Sequence, residues 1–117
     1  MNEQQKIFMN GLRETATDYL DKFKTDFAGN PTNADGKVSA NDLFFDQLNV
    51  YSDLIYSGML GGGVVKSGML SMIKNTQDVL RTYNSAVYDA EYNVKLVLSD
   101  VDYYSKLLDE QAANNAD

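Results

Sequence analysis

69-MLSMIKNTQDVLRTYNSAVYDAEYNVKLVLSDVDYYSKLLDEQ-111 contains neither Gly nor Pro, and its apolar residues recur in strict three-four alternation. Ile73, Leu80, Val87, Val94, Val101 and Leu108 share one position of a heptad. Tyr83, Ala90, Val97 and Tyr104 occupy the other inward position of the same repeat. Sustained over about five heptads, this pattern predicts an α-helix with a coiled-coil seam. As a single long C-terminal helix over 69–112 it would measure ~65 Å at ~1.5 Å per residue. A compact chain of this size is only about 35 Å across. The expectation is an elongated all-α protein organised on that helix.

Working back toward the N-terminus, residues 58–68 hold Gly58, Gly61, Gly62, Gly63 and Gly68, a glycine-rich turn where the backbone reverses. Before it, Leu43, Phe44, Phe45, Leu48, Tyr51, Leu54 and Ile55 predict a helix over 39–57. Ser39 and Asp42 have the spacing of a capping box, and Val38 and Leu43 flank it as a hydrophobic staple. Residues 29–38 read as a polar connector. Over 3–28, Phe8, Leu12, Ala16, Tyr19, Phe23 and Phe27 step by three or four and predict another helix. Gly29 and Pro31 end it, and Gly11 weakens it by ~1 kcal/mol against Ala. The tail, 113–117, is expected to fray. The chain reads as a single α-helical domain over 1–117, two shorter helices packed on one long one as an elongated hairpin or a three-helix bundle.

Composition narrows the functional classes. The formal net charge is −7, and the eight Lys and two Arg are scattered. Nucleic acid and anionic membranes are recognised by a basic stripe that this chain lacks. Cysteine and histidine are absent, which removes disulfides, thiolate nucleophiles, thiolate zinc sites and imidazole general bases. The most apolar window, Ile55 to Ile73, contains Lys66, several serines and five glycines, and it falls short of the ~20 predominantly apolar residues that span a bilayer. The first residues, Met1-Asn-Glu-Gln-Gln-Lys-Ile, lack a signal-peptide layout. A soluble protein is expected, cytoplasmic or exported by a route other than Sec.

The acidic residues form close pairs (Asp89 with Glu91, Asp100 with Asp102, Asp109 with Glu110), but at such spacings they diverge around a helix instead of converging on one substrate atom. Glu91 with Lys95 and Asp102 with Lys106 have the spacing of surface ion pairs. No catalytic role is expected. The glycine cluster lacks the Lys-Ser/Thr that a phosphate cradle places at fixed spacing, so a reversal or a close helix–helix approach accounts for it.

Asn33-Ala-Asp35-Gly36-Lys37-Val38-Ser39-Ala-Asn-Asp42 resembles the calcium loop of EF-hand and dockerin-type modules. With Gly36 as loop position six, Asn33, Asp35, Ser39 and Asp42 fall on liganding positions. What the resemblance implies is a calcium-binding helical module. Pro31 stands where the family has its first Asp, and the capping box with a tight turn at Asp35-Gly36 explains the same residues without a cation.

Tyr88, Tyr92, Leu96, Tyr103 and Leu107 make a second stripe on the long helix, about a quarter turn beside the seam. Tyrosine suits interfaces because it joins a large apolar area to a polar tip. One reading has each stripe meeting one of the other two helices. The other leaves one stripe to bind a further chain. Thirteen Asp against four Glu, with eleven Asn, make helices that rely on packing more than on propensity. A small, acidic, cysteine-free helical hairpin with a glycine break is similar in architecture to subunits of bacterial secretion filaments, needles and virions. The expected function is non-catalytic assembly, with the long helix docking a copy of itself or a cognate protein. A small acidic adaptor, chaperone or inhibitor is a further alternative.

Overall fold

The computed structural model describes residues 1–29, 34–82 and 87–115. Among them are four helices and no strand: α1 (Glu3–Gly29), α2 (Ala34–Tyr56), α3 (Gly63–Thr82) and α4 (Val87–Asn115). α1 packs on α2 and α4, and α3 packs on the same two, while the diagonal pairs make no close backbone approach among the described residues. Cross-helix contacts run in opposite order along every neighbouring pair. Phe8 meets Tyr51 and Tyr19 meets Phe44 between α1 and α2. Lys66 lies over Tyr56 and Arg81 over Phe45 between α2 and α3. Arg13 pairs with Asp102 and Lys24 with Glu91 between α1 and α4. The result is an up-down-up-down four-helix bundle. It is elongated, 57 × 19 × 18 Å, with a radius of gyration of 15.4 Å against about 13 Å for a rounder chain of this length.

The helix expected over 69–112 is therefore two helices, α3 and α4, folded against each other. The reason lies in what a seam needs. A lone 65 Å helix in a chain this size leaves part of its apolar seam wet, whereas folding back buries both halves in one core. The division falls between Thr82 and Val87. Leu80 and Val87 keep the seven-residue spacing across it, although they belong to different helices.

Three boundaries also differ. α2 starts at Ala34, so Ser39 and Asp42 lie inside the helix and not in an N-terminal capping box. α3 starts at Gly63, so Gly68 is helical and does not belong to the turn. α4 runs on to Asn115, through Ala112 and Ala113, the strongest helix-forming residue type.

The reversal between α2 and α3 is made by left-handed glycines, with φ of 91° at Gly58, 78° at Gly61 and 73° at Gly63, a region costly for any residue with a Cβ. Leu60, buried at the same turn, closes that end of the core. Gly11 and Gly68 serve a different need. A Cβ on Gly11 would stand 2.6 Å from the Tyr51 hydroxyl, and one on Gly68 would overlap the Tyr104 ring and hydroxyl. Each hairpin thus seats a tyrosine over a glycine of the neighbouring helix.

The core is one cluster fed by all four helices: Met9, Leu12 and Phe23 of α1, Leu48 and Ile55 of α2, Val65, Met69 and Ile73 of α3, Val97 and Val101 of α4 are fully buried. The seam supplies much of it. Ile73, Leu80, Ala90, Val94, Val97, Val101 and Leu108 are buried and Tyr104 half-buried. Tyr83 lies outside the described residues, as does the side chain of Val87. Because Val94 is 3% exposed, Val94→Asp is expected to unfold the bundle or destabilise it by several kcal/mol, a large part of a domain's stability. Thermal and urea melts followed by circular dichroism measure it.

Candidate protein-docking surface

At about 100° per residue, Tyr92, Leu96 and Tyr103 lie within about 40° of one another on α4. They are 55%, 48% and 54% exposed. Their stripe stands more than a third of a turn from the centre of the buried seam, farther round than the quarter turn read from the sequence, and it faces outward from the bundle. Leu107, on the α3 side of the stripe, is half-buried. The side chain of Tyr88 lies outside the described residues. The structure therefore brings three of the five expected residues together on an open face, with the seam fully used by the fold.

Tyr103 ties this face to the fold. Its ring meets the edge of Tyr104 at 5.0 Å between centroids, and Tyr104 in turn covers Gly68. Asp100, one turn before Tyr104, is half-buried. Burial pushes the Asp100 carboxyl up from its ordinary range. The Tyr104 hydroxyl is also pushed up, first by burial and then by the charges of Asp100 and Tyr103. Asp100 makes no ion pair with a described residue.

The charges on α4 are sorted by side. Glu91 reaches Lys24 at 3.1 Å, Asp102 reaches Arg13 at 2.7 Å, and Asp109 meets the Met1 amino group, all across the α1–α4 groove. The local pairs expected from Glu91 to Lys95 and from Asp102 to Lys106 do not form, since α1 offers those carboxylates a closer cation. Lys95 and Lys106 are left exposed and without an ion pair among the described residues. Both border the tyrosine stripe on the side away from Asp100.

A second apolar opening escaped the sequence reading. Ile7 is 69% and Val50 49% exposed, and with Phe8, Leu54 and Met59 they line a cavity of about 310 Å³ between α1 and α2. Its signal was the four-residue spacing of Val50 and Leu54 along α2, beside the apolar positions that predict that helix.

Of the residues resembling a calcium loop, Asn33 lies outside the described residues. Asp35 and Ser39 stand on the helical backbone of α2, their side chains outside the description, and Asp42 is exposed on the same helix. Among the described residues no helix is long and apolar enough to cross a membrane. Comparison with protein-family models, with curated proteins and with solved structures finds no match.

Two outcomes follow for these charged groups. A carboxyl raised by burial holds its proton more tightly in the folded than in the unfolded chain, so its contribution favours folding at low pH and is lost as pH rises through its folded pKa. Asp100→Asn, neutral throughout, is accordingly expected to melt no lower than the parent at pH 7 in a thermal scan. For the loop, millimolar Ca²⁺ is expected to leave the melting temperature unchanged, because a bound ligand would raise it by linkage. A calcium-dependent rise abolished by Asp35→Ala would contradict this.

Proposed function

We propose that this chain is a non-catalytic assembly protein that docks a helical face of another polypeptide on the outer face of α4. The observation that carries the reading is the exposure of Tyr92, Leu96 and Tyr103, each about half accessible, on one face of a helix whose seam is already buried. Single exposed apolar residues are ordinary, but an aligned set of three large ones is the signature of an interaction face. Two are tyrosines, which bring large contact area with few rotamers to lose. Subunits of filaments, needles and virions join through helical faces of this kind, and the elongated bundle suits that role.

The test is to truncate the stripe. Tyr92→Ala with Tyr103→Ala is expected to leave the monomer's melting nearly unchanged, since neither residue is in the core. Association, followed by light scattering across concentration or by binding to a captured partner, is expected to weaken, with interface tyrosines commonly costing ~2 kcal/mol or more when they are hot spots. Unfolding of the double variant would show that the stripe is packing for the fold and not a docking face.

A further inference from the structure

The charges beside the stripe specify its occupant. Written as a heptad, the outer face of α4 places Tyr92 and Ser99 at d and Leu96 and Tyr103 at a, with Lys95 at g and Asp100 at e. Lys106 falls at the following d position and ends the apolar run, so the contact is about 17 Å long, from Tyr92 to Tyr103. Lys95 stands about 80° to one side of the stripe and Asp100 about 60° to the other. One flank is a free cation and the opposite flank a carboxylate without an ion pair among the described residues.

We propose, resting on the docking role of this face, that its occupant is a second copy of the same chain with its α4 running parallel, Lys95 of each copy meeting Asp100 of the other. A two-fold axis along the helices brings opposite flanks together, and in a parallel pair a g residue faces the e residue five positions on. Lys95 and Asp100 have that separation. An axis across the helices brings like flanks together and would set Lys95 against Asp102, one heptad on at g and already held by Arg13, while leaving both Asp100 carboxylates without a cation. The flanking charges therefore select the parallel pair. Ser99, small and central, lets the two helices approach between Leu96 and Tyr103. The arrangement is isologous, so it closes at two copies. Asp100, half-buried and raised by burial, gains in the dimer the cation that its own bundle does not provide.

Sedimentation velocity on the full chain tests this with Lys95→Glu, Asp100→Lys and an equimolar mixture of the two, each shown folded by circular dichroism. The wild type is expected to pass from monomer to dimer with concentration and to stop there. Each single variant places two like-charge pairs in the interface and is expected to raise the dimer Kd about tenfold or more. In the mixture both pairs become Glu–Lys and Asp–Lys again, and a heterodimer of near wild-type affinity is expected. Mass that keeps growing beyond two copies, a dimer insensitive to either substitution, tighter dimerisation by Lys95→Glu, or a mixture that fails to associate would each overturn the parallel pairing. A wild type that stays monomeric to millimolar concentration would also overturn it. In that case a folded Tyr92→Ala/Tyr103→Ala chain leaves the docking role standing for a different protein, whereas an unfolded one removes both readings.

Discussion

A helix that is apolar along its whole length must be covered along its whole length. That constraint explains the architecture of this chain. Val94, Val97, Val101 and Leu108 on one side and Met69, Ile73 and Leu80 on the other demand partners over a span that no compact 117-residue protein contains in one line. Doubling the segment back on itself brings the two halves of the seam into a common interior, and α1 and α2 complete the ring. The same requirement sets the shape: four helices of 20 to 29 residues side by side give a rod of 57 Å.

What the sequence disclosed about this arrangement was periodic, and what it concealed was tertiary. The seam was legible because seven-residue spacing survives any arrangement of the helix that carries it. The division after Thr82 was hidden, since Asn84 and Ser85 are merely weak helix formers and the spacing from Leu80 to Val87 preserves the heptad by coincidence. Gly68 read as part of a turn because glycine serves both left-handed backbone and close packing, and only Tyr104, far off in sequence, tells which. The stripe of Tyr92, Leu96 and Tyr103 was visible as a pattern, yet its outward direction depended on how many helices surround α4. Ile7 and Val50 escaped because a helix rich in apolar residues does not announce which of them remain uncovered.

Charge sorting gives the bundle a polarity that its composition does not show. Three acidic groups of α4 turn to cations at α1, each pair partly exposed and worth little alone. Their collective effect is on direction: the acidic side of α4 is neutralised against its neighbour, and Lys95 and Lys106 face outward. A protein with a net charge of −7 thus carries two lysines without ion pairs among the described residues along one border of the Tyr92, Leu96 and Tyr103 face. Such an edge decides orientation more than affinity, because misplaced like charges are costlier than matched opposite charges are favourable.

The hydrogen bond from the Tyr19 hydroxyl to the Asn41 side-chain oxygen, 3.0 Å and buried, bears on a different question. Apolar helix faces of Leu, Met, Phe and Val tolerate sliding, since one turn of displacement exchanges one greasy contact for another. A polar pair does not. Displacing α2 along α1 would leave an amide oxygen that is shielded from water without its donor, at a cost of about 1–3 kcal/mol. The pair therefore works as an index mark, separating one alignment from its near-degenerate neighbours. Replacing both members with apolar residues of similar shape would keep the burial and erase the mark, leaving a hairpin equally cohesive but free to settle in more than one alignment.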